Sequence, residues 1–130
     1  MAPEEKGASL LFAIEMLLAG GLGTLARYGF SNLFHGDALP WATLVINVVG
    51  SFLLGALVVT PVGWMSEQTR DALGVGLLGG FTTFSTFSVQ AFLDLEAGEP
   101  AKALIYVGAS VGLGIGAAAT GYFATRALVH

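Results

Sequence analysis

Eight consecutive residues from Phe81 to Ser88, FTTFSTFS, are all phenylalanine or hydroxylated, and Gly79 and Gly80 stand directly before them. A hydroxyl can donate to a small anion in place of water, and a phenyl ring carries the positive part of its quadrupole at its edge. Phe84 and Phe87, three residues apart, share one helical face, with Ser85, Thr86 and Ser88 close by. Such a set could line an anion path without a fixed cation that would trap the ion. Ordinary packing accounts for a scattered Ser, Thr or Phe; the density here argues for more. The two glycines weaken a helix, and an unwound peptide group in hydrocarbon costs several kcal/mol unless protein, water or an ion satisfies it. The segment is therefore expected to break a transmembrane helix and to line an ion pathway.

Other polar residues lie on faces that could join it. Thr43, Asn47, Gly50 and Ser51 gather on one helical face among leucines and valines. A carboxamide at mid-bilayer is expensive and donates two hydrogen bonds, so Asn47 is either glue between helices or an anion ligand. Tyr106 and Ser110 share a face whose next position is Gly114, and they either pack or continue a polar track. Gly108, Gly112 and Gly116 form a small-residue seam on another face, which would let a helix approach closely. Arg27, followed by Tyr28, Gly29 and Phe30, either snorkels to an interface or faces a water-filled vestibule.

These residues need a membrane to position them. The chain has 130 residues, 55% hydrophobic and 11% charged, with a mean hydropathy of +0.77, which is too apolar for a solvated surface. A hydrocarbon core about 30 Å thick needs roughly 20 helical residues. Ala38 to Ser66, Ala72 to Leu93 and Ala103 to Thr125 carry no charge, and a fourth span lies upstream. We expect an all-α integral membrane protein, one domain over 1–130, with helices at about 9–32, 40–60, 70–94 and 100–126. Met1 to Ser9 reads as a short solvated tail without the basic start of a signal peptide. The segment Phe34 to Pro40, with His35, Gly36 and Asp37, reads as the first loop; Glu67, Gln68, Arg70 and Asp71 as the second; Gly98 and Pro100 as the last turn.

The absence of cysteine rules out disulfides and thiolate chemistry, and five basic residues scattered singly give no reason to expect nucleic acid. Gly74, Gly76 and Gly79 match a dinucleotide-binding pattern and Gly108, Ser110 and Gly112 a hydrolase pattern, but neither lies in a strand-to-helix setting. No catalytic constellation or metal-ligand cluster of His, Asp or Glu is visible, so an enzyme is not expected. Four spans put Lys6, Arg70 and Arg126 on one side and Arg27 and Lys102 on the other, a balance that hardly selects an orientation. A chain able to insert both ways can form an antiparallel, dual-topology homodimer, and a partner copy would help four short helices to enclose a polar route.

GGLGTLARY at 20–28, LVINVVGSFLLG at 44–55 and GGFTTFSTFS at 79–88 resemble, in order and spacing, the Fluc (CrcB) fluoride channels across nearly the whole chain. The resemblance implies passive, fluoride-selective export through two parallel pores of a dual-topology dimer in a bacterial inner membrane. It implies Phe84 and Phe87 in pore-lining aromatic boxes, Asn47 as the pore-facing amide and Arg27 at the vestibule. Thr43, Tyr106 and Ser110 match polar positions near the path, and the carbonyls of Gly79 and Thr82 from both subunits would hold a structural sodium ion. The chain departs from the family pattern at Gln90, where a glutamate is usual, and at Gly114, where a serine of the polar track is replaced.

Two other readings compete. A small multidrug-type proton-coupled exporter, also four helices and dual topology, would use Glu15 as its proton and substrate carboxylate. A non-transporting helical subunit would show no flux of any ion.

Overall fold

The computed structural model describes residues 3–34 and 40–130, and the expected turn at His35, Gly36 and Asp37 lies outside the described residues. Among the described residues every regular element is helical. Helix α1 spans Pro3–Ser31 and α2 spans Trp41–Val58. A single 3₁₀ turn at Val62–Trp64 leads to a third span made of α3 (Glu67–Asp71), a π-helical stretch (Ala72–Leu78), α4 (Gly79–Phe81) and α5 (Phe84–Glu96). Helix α6 spans Pro100–Val129. Four of the helical runs among the described residues are long and apolar enough to cross a membrane: Ala8–Ser31, Trp41–Val58, Glu67–Glu96 and Pro100–Val129.

Three local outcomes differ from the sequence reading. Helix α1 already includes Pro3 to Ser9, the stretch expected to be a solvated tail. Residues Glu67, Gln68, Arg70 and Asp71 form a helical turn, not a loop. Ser66 caps that turn, its Oγ accepting from Thr69 N–H at 3.1 Å, and Glu67 sits favourably in its first turn. Gly79 and Gly80 are themselves helical, and the extended residues are Thr82 (φ −81°, ψ 161°) and Thr83 (φ −152°, ψ 121°). The glycines permit close approach: a Cβ on Gly80 would run into the backbone of Gly20 and Thr24 on α1.

Glycine also sets the other helix contacts. A Cβ on Gly23 would strike the Leu77 carbonyl, so α1 lies directly against the π-helical stretch. Gly55 faces the Ala118 backbone and Gly121 the Phe52 backbone, which brings α2 and α6 together as the most extensive pair. Around Gly108, Gly112 and Gly116, by contrast, a Cβ would meet nothing within 4 Å among the described residues, so the seam expected there makes no close contact with them.

The core is small: Ile46 is 1% exposed, Ala103 and Tyr106 3% each. Leu17, Leu22, Leu25, Ile115 and Phe123 point outward, an arrangement suited to hydrocarbon, since water would penalise so much open apolar surface. Gly98 closes α5 with a positive φ of 75°, and beside it Lys102 pairs with Asp94 at 2.8 Å and Glu99 at 3.2 Å. At the other end, the Arg70 guanidinium donates to the carbonyl of Leu57, which also accepts from Thr60 N–H at 3.2 Å, and, at 2.6 Å, to that of Thr60, tying the third span to the end of α2.

Candidate functional site

The site grows from the extended pair Thr82–Thr83. An interrupted helix must find new partners for its peptide groups. The Asn47 carboxamide, from the middle of α2, supplies two of them: Nδ2 donates to the Thr83 carbonyl at 2.9 Å, and Oδ1 accepts from Thr83 N–H at 2.9 Å. Thr83 Oγ1 then caps α5 by accepting from Thr86 N–H at 3.2 Å, and its own proton goes to Thr86 Oγ1 at 3.0 Å. Ser85 Oγ lies 3.4 Å from the same hydroxyl.

This pattern leaves donors in reserve. Asn47 Nδ2 carries a second hydrogen beyond the one given to Thr83, and Thr86, which receives a proton from Thr83, keeps its own. Among the described residues Ser110 Oγ is buried without a hydrogen-bond partner. The Tyr106 phenol is committed, donating to Gln90 Oε1 at 2.9 Å, and Thr43 lies beside it. Gln90, where the resemblance implies a glutamate, thus accepts this bond through an uncharged carboxamide.

Two clefts meet at Thr83. One, of about 260 Å³, is lined by Asn47, Ser51, Gly79, Thr82, Thr83 and Phe84 among others. The other, about 250 Å³, is lined by Arg27, Tyr28, Ser31, Thr43, Thr83 and Thr86 among others. Among the described residues neither lining includes a carboxylate, and the second includes a guanidinium. The O–H and N–H donors of both clefts can serve an anion, and the guanidinium of the second favours an anion over a cation there.

The aromatic rings stand in a row. Phe84 and Phe87 have centroids 5.7 Å apart with planes inclined at 49°, and Phe87 and Tyr106 are 5.2 Å apart at 47°. Phe84, 78% exposed, projects from the chain, whereas Phe87 is half-buried between its two neighbours. The structure thus brings Asn47, Thr86, Phe84, Phe87, Tyr106 and Thr43 into one connected region, with Arg27 in the adjoining cleft. Glu15 lies apart on the exposed face of α1, in a shallow depression with Leu18, Leu22, Thr69 and Leu73.

The carbonyls of Gly79 and Thr82 can be tested as oxygen donors. In a continuous helix they would accept from the N–H groups of Thr83 and Thr86. Those two groups are instead taken by Asn47 Oδ1 and Thr83 Oγ1. Gly79 and Thr82 also line the same cleft, so a pair of hard oxygens there fits a hard monovalent cation.

Sequence reasoning missed Thr83, the residue that touches most of this network. Its signal was present: a threonine three residues before Thr86, at the start of a helix, is an N-cap spacing.

Residues 14–122 match the family described as "CrcB-like protein, Camphor Resistance (CrcB)". The chain is 45% identical over 116 residues to a protein of Thermus thermophilus named "Fluoride-specific ion channel FluC", covering 86% of this chain and 93% of that one. Proteins with the same name from Cereibacter sphaeroides (44% over 117 residues, 87% and 93% covered) and Erythrobacter litoralis (38% over 129 residues, 90% and 93% covered) are also similar.

Proposed function

The chain belongs to the CrcB family of ion channels, not enzymes, and we propose that this multi-pass protein of the bacterial inner membrane is a fluoride-selective passive channel that exports cytoplasmic fluoride. One observation carries the reading: clefts with hydroxyl, amide and guanidinium donors and, among the described residues, no carboxylate adjoin a row of aromatic rings in an otherwise apolar bundle. Fluoride is small and tightly hydrated, so a path must replace lost water with donors at short intervals. Asn47 and Thr86 offer spare protons, Ser85, Thr43, Tyr106 and Ser110 line the route with polar atoms, Phe84 and Phe87 present ring edges, and Arg27 attracts the ion at a vestibule.

The working unit is an antiparallel, dual-topology homodimer with two pores. Phe84 projects from the single chain, which supports a second copy beside it, and the near-even charge balance across the four spans supports insertion both ways. At the dimer centre the carbonyls of Gly79 and Thr82 would hold a sodium ion, whose charge satisfies oxygens that lack helical partners. The exporter reading gains no support from Glu15, which lies outside the connected polar region.

The test is flux through purified protein in vesicles. Phe84→Ile, which keeps the apolar bulk but removes the ring edge, and Asn47→Asp, which places a negative charge beside Thr83, should each suppress fluoride efflux, and single-molecule photobleaching should count two copies per conducting particle. Unchanged fluoride efflux in both variants would remove these residues from the path. Proton-coupled flux lost in Glu15→Gln would favour the exporter instead.

A further inference from the structure

The polar face of α6 is interrupted at Gly114, and the structure shows what stands over the gap. A Cβ built on Gly114 would lie 3.7 Å from Ser51 Oγ of α2, an ordinary contact distance. The two helices run in the same direction and in register: Thr43 lies beside Tyr106, Ser51 faces Gly114 and Gly55 meets Ala118, so each step along α2 is matched on α6. That register puts Asn47 and Ser110 at the level between the first two pairs. Polar side chains thus recur every four residues, about 6 Å apart, on at least one of the two helices.

Without a hydroxyl at the level of Gly114 the series would end at Ser110, whose Oγ is buried with no partner among the described residues. Ser51 also lines the cleft that contains Asn47, Thr82 and Phe84, so its hydroxyl borders the same space as the other donors. We propose that Ser51 supplies the donor that α6 lacks at Gly114, so that the ion passes from Ser110 on α6 to Ser51 on α2. This inference rests on the fluoride reading above. The glycine is then one half of an exchange: it removes a side chain from α6 and leaves room for the hydroxyl reaching across from α2.

Fluoride efflux from vesicles containing the purified channel tests the exchange. Ser51→Ala should slow efflux about tenfold, the rate equivalent of one hydrogen bond to a charged group. Adding Gly114→Ser to Ser51→Ala should restore efflux to within about threefold of wild type, since it returns a hydroxyl to the same level from the other helix. In parallel, Ser51→Thr should conduct and Ser51→Val, of the same shape but without the hydroxyl, should not. Wild-type efflux in Ser51→Ala, failure of the double variant to recover, or equal efflux in the Thr and Val variants would each overturn the proposal. A wild-type protein that releases no fluoride would instead overturn the channel reading on which it rests.

Discussion

The contact between α2 and α6 and the joint between α4 and α5 use similar small and hydroxylated residues for opposite ends. Along α2 and α6, Gly55 and Gly121 remove side chains so that two intact backbones touch, and each helix satisfies its own peptide groups. At Thr82–Thr83 the backbone leaves the helix and borrows its partners from Asn47 and Thr83 Oγ1. A membrane helix tolerates close packing at almost no polar cost. An extended pair is tolerated only where other groups replace each lost bond, and the spare donors of those groups are then available to an ion.

Breaking the joint should have the largest consequence. Asn47→Leu leaves the N–H and carbonyl of Thr83 without partners, a loss of about 2–6 kcal/mol at about 1–3 kcal/mol for each group. Thermal unfolding in detergent should show a marked fall, and vesicles should lose fluoride efflux. The helix contact should fail more gently. In Gly55→Ala the new methyl collides with the Ala118 backbone, an overpacking cost of about 1–3 kcal/mol. Gly112→Ala, where a methyl meets nothing among the described residues, should change the stability of the isolated fold by no more than about 0.5 kcal/mol. A Gly112→Ala variant as unstable as Gly55→Ala would show that the glycine seam on α6 already packs within one chain.

A smaller effect separates the two duties of Thr83. Thr83→Val keeps the bonds between its backbone and Asn47 but removes the cap on α5, costing about 1 kcal/mol. Fluoride efflux should fall because Thr86 then loses the neighbour that orients its hydroxyl. The smallest change is expected at Lys102→Gln. Its partner Glu99 is open to solvent and its partner Asp94 is half-buried, so the loss of stability should be slight and efflux should not move measurably.

The sequence was readable where composition alone decides. Long charge-free runs specify membrane helices whatever their neighbours, and the density of FTTFSTFS singled out the segment that holds the extended pair Thr82–Thr83 before any contact was known. What stayed hidden depends on register between helices. Asn47 could serve as glue or as an anion ligand, and only the placement of α2 beside Thr83 shows that one amide bonds the backbone on both sides while keeping a proton spare. Gly79 and Gly80 were read as the point of unwinding, yet both are helical, and Gly80 instead lets α1 come close, a contact that depends on another segment of the chain. The periodic seam of Gly108, Gly112 and Gly116 was the more conspicuous pattern, while the close contacts fall at Gly23, Gly55 and Gly121, which share no simple spacing. Periodicity reports a face; it does not report what covers it.

The central claim is that the donors around Thr83 and the rings of Phe84 and Phe87 pass fluoride and little else. Vesicles holding equal concentrations of fluoride and chloride, with the purified protein inserted and both ions followed by selective electrodes after the membrane potential is released, test it in one trace. The account predicts rapid loss of fluoride while chloride leaves no faster than from protein-free vesicles; chloride leaving at a rate comparable to fluoride, or fluoride retained, would contradict it.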